Sequence, residues 1–198
     1  MTHWAGVDVG ARRKGFDVAV VDAERLVSTA GRLPDPPAVV ECLAEHRPRV
    51  VAVDSPRSPA APGARSRVDE RLLAQAVCGI RYTPAQDVLD GGNRYYEWIV
   101  HGLELYRALA RGPWNVIECF PTASWTRCFE VRGSRSRAAW TREGLRRLRL
   151  KGIPEKTNQD ARDAIAAALT ARLYDVEWTE AFGEIEVPRL GATWSQTT

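Results

Sequence analysis

An unbroken apolar run, VVAV at residues 50–53, is followed directly by Asp54, Ser55 and Pro56. A short, wholly apolar segment bounded by turn-forming residues is typical of a strand that is buried on both faces of a sheet. The run therefore predicts a layered α/β fold, in which an acidic side chain stands at the end of a buried strand.

The amino-terminal residues predict a β-hairpin. Residues 4–8 and 16–21 have strand character, and Gly10 and Gly15 bracket a basic turn between them. The first of these strands ends at Asp8. Residues 25–29 predict a third short strand, and residues 114–120, WNVIECF, predict a fifth after the apolar run.

Helices are expected between and after these strands. Pro36 and Pro37 open a helix that continues to about His46. Further helices are expected at about 68–77, 93–110, 138–151 and 158–174. This order predicts a mixed five-stranded sheet, with three antiparallel strands followed by parallel ones, and helices on both faces.

Composition indicates one domain over residues 1–198, with 44% hydrophobic and 27% charged residues. No apolar stretch approaches the roughly 20 residues of a membrane helix, and the amino terminus has no signal-peptide core. The four cysteines form no CxxC pair. We therefore expect a cytoplasmic protein without a zinc site.

Two segments have unusual composition. Residues 55–66 are rich in Pro, Ser, Ala and Arg, which predicts a mobile surface loop. The segment at about 121–157, which is predicted to be largely helical, has ten basic and three acidic residues and a net charge of +7. A solvated helix surface and a face that binds phosphate groups are both consistent with this charge.

Candidate chemistry lies at the strand ends. If the first strand and the strand at 50–53 are parallel neighbours, Asp8 and Asp54 project from adjacent carboxyl ends, about 4.8 Å apart in strand spacing. Such carboxylates repel each other, and a divalent cation such as Mg²⁺ removes the repulsion. Glu118, within an otherwise apolar strand, needs a cation or a basic partner if it is buried.

The last helix supplies a second acidic pair. Asp160 and Asp163 are three residues apart and share a face with a stripe of alanines that permits close packing on the sheet. With Thr157 as the helix cap, Asp160 takes the acidic position of a capping box, so capping and metal binding are both open for it. Asp163 lies beyond the cap, and an inward-facing carboxylate there needs a partner or a metal.

The chain resembles the domain-of-unknown-function 429 family, whose members are predicted nucleases with a ribonuclease H-like fold. The resemblance extends over nearly the full length and rests on seven short motifs in a fixed order. They are GVDVGARRKGFDVAVVD, VVAVDSP, RVDERL, CGIRYTP, IECFP, DARDAIAAALTA and FGEIEVP. The sixth motif is also similar to the acidic helix of bacterial Holliday-junction resolvases, which share that fold and bind divalent metal through carboxylates.

These resemblances imply a Mg²⁺- or Mn²⁺-dependent nuclease that hydrolyses phosphodiester bonds by a two-metal mechanism. The implied metal ligands are Asp8, Asp54 and Asp163, with Asp160 as a further ligand and Glu118 as a further catalytic candidate. The arginines of the third and fourth motifs and their surroundings are candidates for binding nucleic-acid phosphates. These are Arg65, Arg67, Arg71 and Arg81.

Two other functions remain open at this point. Asp8-Val9-Gly10 and the basic turn also resemble the first phosphate loop of actin-like phosphotransferases, although such enzymes usually need a duplicated domain. A non-catalytic nucleic-acid-binding protein that retains the fold is the other alternative. A catalyst needs its carboxylates and a metal, whereas a binding protein retains affinity when Asp8 or Asp54 becomes Asn.

Overall fold

The computed structural model describes residues 1–194, which form one seven-stranded sheet flanked by helices. The strands are β1 (Trp4–Val9), β2 (Phe16–Val21), β3 (Leu26–Leu33), β4 (Val50–Asp54), β5 (Asn115–Cys119), β6 (Thr179–Phe182) and β7 (Ile185–Pro188). Their order across the sheet is β3-β2-β1-β4-β5-β7-β6.

The prediction of five strands is wrong, because β6 and β7 add a carboxyl-terminal hairpin. Each has only four residues, too few for an alternating pattern to stand out from a loop. Gly183, at a φ of 65°, turns the chain between them.

The predicted pairing of the first five strands is confirmed. β2 is antiparallel to β1 and β3, whereas β1, β4 and β5 are mutually parallel. β7 extends the parallel set beside β5, and β6 closes that edge in antiparallel orientation. Three parallel strands therefore place their carboxyl ends side by side at the centre of one sheet edge.

Seven α-helices connect or follow the strands among the described residues. They are α1 (Pro36–His46), α2 (Val68–Ala76), α3 (Gln86–Asp90), α4 (Glu97–Leu109), α5 (Pro121–Cys128), α6 (Arg137–Arg147) and α7 (Gln159–Asp175). α1 has the predicted bounds, and Asp35 caps it by accepting from the Ala38 amide. The predicted helix at 93–110 is a 3₁₀ turn followed by α4.

Helices cover both faces of the sheet, as predicted. Val51 and Val53 point to the face packed by α1 and α4, whereas Val50 and Ala52 point to the face packed by α5, α6 and α7. The alternation explains why the apolar run is unbroken, since each of its residues enters one of two buried layers.

Helix α7 lies directly on β1. A Cβ atom at Gly6 would stand 2.2 Å from the carbonyl oxygen of Ala164 and 2.1 Å from the amide nitrogen of Ala168. The alanines of α7 from Ala164 to Ala171 are fully buried, so small side chains on both elements permit this close approach. The contact fixes the depth at which the acidic amino-terminal turns of α7 meet the sheet edge.

Residues 55–66 are irregular, as predicted, but they are anchored to the rest of the chain. The Ala60 amide donates to the carbonyl oxygen of Pro84, and Ser55, Pro56 and Ser66 are buried. No helix within residues 1–194 combines the length and the apolar character needed to cross a bilayer.

Candidate active site

Asp8 and Asp54 are adjacent at the ends of two parallel strands. The register pairs Asp8 of β1 with Asp54 of β4, as the sequence predicts. Asp163, 2% exposed on the second turn of α7, approaches from the face packed on β1. Asp8, Asp54 and Asp163 line one cavity, so their carboxylates lie close enough to repel one another.

A fourth aspartate, Asp17, belongs to this site and was missed from the sequence. Asp8, Asp17 and Asp160 each bring a carboxylate oxygen within 4.8 Å of the others. Asp17 lies in β2 directly opposite Asp8. The predicted hairpin could have identified Asp17, because the register between its two strands decides which residue faces Asp8.

Lys14, in the turn between β1 and β2, neutralises part of this charge. Its Nζ lies 2.6 Å from Asp160 Oδ1 and 3.8 Å from Asp8 Oδ2. Burial lowers the pKa of Lys14, but the hydrogen bond to Asp160 and the charge of Asp8 outweigh it, so the pKa lies above its usual value. The ammonium group is therefore a cation held between two carboxylates.

The capping interpretation of Asp160 is wrong. Asn158, rather than Thr157, caps α7, since its side-chain oxygen accepts from the Ala161 amide at 2.7 Å. Asp160 is therefore left to pair with Lys14. This carboxylate faces the site and does not close its own helix end.

Arg137 holds Asp163 from the opposite side. Its Nη2 lies 3.0 Å from Asp163 Oδ2, and Gln159 Nε2 donates to both oxygens of Asp163 at 3.0 and 3.1 Å. Arg137 is the first residue of α6, so the strongly basic segment at 121–157 contributes directly to the site. The Nε of Arg137 is buried without a hydrogen-bond partner.

Burial and mutual repulsion raise the pKa of each of these carboxylates. Burial, then the charges of Asp54 and Asp163, raise the pKa of Asp8 well above its usual value. Burial and Asp163 raise the pKa of Asp54 to about 8. Burial also raises the pKa of Asp163 and of Asp17. A positive charge bound beside these carboxylates would lower their pKa values and allow all of them to ionise together.

Glu118 is buried nearby on β5, but one guanidinium and one backbone amide of this chain already bind its carboxylate. Arg67 Nη1 donates to Glu118 Oε1 at 2.6 Å, and the Arg57 amide donates to Oε2 at 2.8 Å. Burial raises the pKa of Glu118 to about 7, against the opposing effect of Arg67. Glu118 therefore differs from the aspartates, whose charge is less well compensated.

The four candidate phosphate-binding arginines are in different environments. Arg67 is 5% exposed and pairs with Glu118, Asp69 and Glu184, so it is a buried structural cation here. Arg65, Arg71 and Arg81 are exposed. Of these, Arg71 donates to Ser66, and Arg81 lines the cavity described next.

A cavity of about 520 Å³ opens over the carboxylates, and we call it the acidic recess. Its floor includes Asp8, Asp54, Glu118 and Asp163; its walls include Ser55, Glu70, Arg81, Thr83, Trp98, Arg132 and Arg137. Both Ser55 Oγ and Trp98 Nε1 are buried without a hydrogen-bond partner. Unsatisfied polar atoms beside carboxylates and arginines are typical of a ligand site.

Glu70 shapes one wall of the acidic recess and was also missed from the sequence. It is 2% exposed, and its carboxylate accepts from the amides of Arg67 and Thr83. Glu70 thereby ties the start of α2 to the segment containing Arg81. Its bond to the Arg67 amide is that of a capping box, three residues along the chain, whereas Thr83 is 13 residues away and gives no local sequence signal.

The mixed sheet, the helices on both faces and the carboxylates at its central strand ends define an α/β fold of the ribonuclease H-like kind. The RuvC structure of Thermus thermophilus in complex with a Holliday junction substrate is similar, at 19% identity and a TM-score of 0.54. The match covers 91% of this chain and 99% of that one.

A second T. thermophilus RuvC structure matches at 18% identity and a TM-score of 0.49, over 89% of this chain and 96% of that one. No protein-family model matches the chain, and no curated protein sequence matches it at a significant level. The junction-bound structure, at 19% identity, establishes the fold alone, and the chemistry of this chain depends on the residues of its acidic recess.

Proposed function

We propose that this chain is a divalent-metal-dependent nuclease that hydrolyses phosphodiester bonds, and that residues 1–198 act as one domain. The observation that supports this most directly is the convergence of Asp8, Asp54 and Asp163 in the acidic recess, with Asp17 and Asp160 beside Asp8 and with Arg137 beside Asp163. Asp8 and Asp54 stand at the carboxyl ends of parallel strands, where open α/β sheets bind ligands.

The donor set fits a hard divalent cation. Three carboxylate oxygens from Asp8, Asp17 and Asp160 lie within 4.8 Å of one another, and Mg²⁺ and Mn²⁺ favour oxygen ligands. Lys14 already places a positive group against two of these carboxylates. We propose Asp8, Asp54, Asp160 and Asp163 as metal ligands, with Asp17 added from the structure.

The basic groups of the acidic recess suit a phosphate substrate. Arg137 has a free buried Nε beside the carboxylates, and Arg81 and Arg132 line the same cavity. Guanidinium groups bind phosphate oxygens through charge-assisted hydrogen bonds. A divalent ion, when bound, supplies Lewis-acid activation of the phosphate and of an attacking water. The arginines orient the phosphodiester and balance the charge that develops on it.

Two comparisons support this proposal. The sequence motifs resemble the domain-of-unknown-function 429 family, which we propose as the family of this chain. The RuvC structure with the same fold contains a Holliday junction substrate. Nucleic acid is therefore the proposed substrate, and a four-way junction belongs in the panel that tests it.

The test combines metal binding with cleavage. Calorimetry with Mn²⁺ is expected to show binding to the wild type, and binding at least tenfold weaker in Asp8→Asn and Asp163→Asn. The exposed Asp87→Asn variant is the matched control and should bind as the wild type does. Labelled single strands, duplexes, RNA–DNA hybrids and four-way junctions are then incubated with each protein and Mg²⁺ or Mn²⁺.

Loss of cleavage in parallel with loss of Mn²⁺ binding supports the nuclease. Nucleic-acid binding that persists in Asp8→Asn, without cleavage by the wild type, identifies a non-catalytic binding protein instead. Metal-dependent transfer of a nucleotide's terminal phosphate, without cleavage of any strand, identifies a phosphotransferase. No Mn²⁺ binding by the wild type, with or without nucleic acid, contradicts the proposed metal site.

A further inference from the structure

A second cavity, of about 270 Å³, lies at the other end of the sheet, and we call it the distal cavity. Arg172 lines it, nine residues after Asp163 on α7, which corresponds to about 14 Å along the helix axis. Arg172 also contacts Trp4 at the amino end of β1, whereas the acidic recess lies at the carboxyl end. The distal cavity is thus separate from the candidate active site.

Arg172 is a buried charge without an ion pair. It is 5% exposed, and no carboxylate oxygen of residues 1–194 lies within 4 Å of its guanidinium nitrogens. Its Nη1 donates to the carbonyl oxygen of Ala23 at 2.9 Å, and its Cζ lies over the Trp4 ring, 5.6 Å from the ring centroid. Burying a cation is costly unless an anion compensates it.

Asp22 is the acidic group that acts on Arg172 electrostatically, but it has other partners. The Asp22 carboxylate accepts from the amides of Glu24 and Arg25 at 2.8 Å each. Burial lowers the pKa of Arg172 in spite of the opposing charge of Asp22. The protein itself therefore compensates the buried guanidinium only in part.

Trp194 adds an unused hydrogen-bond donor to the same cavity. Its Nε1 is buried and has no hydrogen-bond partner within residues 1–194, although the ring packs edge-on against Trp125 at a centroid distance of 5.8 Å. A buried N–H that is left unsatisfied is destabilising. Arg172 and Trp194 both line the distal cavity, so two independent features of the structure indicate one ligand.

The remaining lining residues define the chemistry of that ligand. Arg147 and Arg149 are exposed at the distal cavity, and none of its lining residues in the described part of the chain is acidic. Leu148, Leu150 and Leu169 form apolar walls. A cation is repelled by this set, and a neutral molecule leaves Arg172 uncompensated.

We propose that the distal cavity binds a small organic anion, in which a carboxylate or phosphate is attached to an apolar group. The anionic group contacts Arg172 and the Trp194 N–H, and the apolar group contacts the leucines. A volume of 270 Å³ is just below the roughly 300–1,000 Å³ of typical ligand sites, which favours a molecule of about the size of a substituted ring. The proposal is independent of nuclease activity.

The first test uses phenyl phosphate and benzoate as probes in calorimetry, with EDTA present to exclude metal at the acidic recess. The wild type should bind at least one probe with one-to-one stoichiometry. Arg172→Met is expected to weaken binding at least tenfold, because it removes the buried charge that pairs with the anion. Arg111→Met, which removes an exposed arginine away from the cavity, should bind as the wild type does.

A second variant keeps the test decisive if Arg172→Met does not fold, as judged by circular dichroism. Trp194→Phe retains the ring and removes only the N–H, so we expect it to fold and to bind severalfold more weakly. The indole resonance that is lost from the ¹H–¹⁵N spectrum of Trp194→Phe also identifies the Trp194 indole in the wild type. That indole resonance should then move on titration of the wild type with the probe.

Three results would overturn the proposal. The first is the absence of saturable binding of either probe to the wild type. The second is that the Trp194 indole resonance does not move and that folded Arg172→Met binds the probe as the wild type does. If Arg172→Met does not fold, unchanged binding by Trp194→Phe takes its place. The third is displacement of the probe by duplex DNA that itself moves the Trp194 resonance, since the cavity would then belong to a nucleic-acid surface.

Discussion

Replacing Asp54 by Asn is expected to make the metal-free protein more stable at pH 8, although it removes a proposed metal ligand. Burial and the nearby carboxylate of Asp163 raise the pKa of Asp54 from 3.8 to about 8. Between about pH 4 and pH 8 the folded protein therefore retains a proton that the unfolded chain has released. The free energy of unfolding falls as the pH rises through this range.

The size of the effect follows from the two pKa values. The difference between a pKa of 3.8 in the unfolded chain and about 8 in the folded protein sets a ceiling of roughly 6 kcal/mol on the loss of stability at pH 8. Asp54 is only partly buried, and water and Arg137 reduce the penalty, so we expect a measured gain of about 1–3 kcal/mol. At pH 5, about one unit above the pKa of the unfolded chain, the same ceiling is roughly 1.7 kcal/mol, so the gain should be smaller than at pH 8.

The assay is urea unfolding with EDTA, followed by far-ultraviolet circular dichroism at pH 5 and pH 8. Asp35→Asn is the matched control, because Asn also caps α1 and the exposed side chain has no buried charge to lose. Excess Mg²⁺ should stabilise the wild type more than the Asp54→Asn variant. Equal or lower stability of Asp54→Asn at pH 8, with an unchanged m value, would refute the reasoning.

Three further predictions concern packing and charge. Gly6→Ala should destabilise the protein by about 3 kcal/mol or more in urea unfolding, because the new Cβ meets the backbone of α7 at 2.1 Å. Gly79→Ala is the control and should change the stability little, since there is open space around Gly79. Arg67→Met should lower the free energy of unfolding by about 3–5 kcal/mol, because it leaves Glu118 buried without its cation. Adding Glu118→Gln should restore part of that loss, and no recovery in the double variant would contradict the pairing. Lys14→Met should tighten Mn²⁺ binding about threefold to tenfold in calorimetry, since a competing cation is removed, and weaker binding would show that the ammonium group supports the site.

The sequence was most informative where neighbouring residues decide the outcome. The apolar run before Asp54, the hairpin around Gly10 and Gly15, and the proline start of α1 are local patterns, and each corresponds to an observed element. Parallel pairing of β1 and β4 then places Asp8 beside Asp54 with no further information. The short strands β6 and β7 escaped prediction because four residues contain too little pattern.

What only the tertiary structure decided is the partner of each charged side chain. Sequence motifs marked Asp8, Asp54 and Asp163 as site residues, but the meeting of β2, the hairpin turn and α6 with the sheet edge added Asp17, Lys14 and Arg137. The same long-range contacts buried Arg67 against Glu118 and left Arg172 without an ion pair to any residue from 1 to 194. Periodicity and strand ends are properties of adjacent residues, whereas the pairing of charges depends on segments that meet only when the chain has folded.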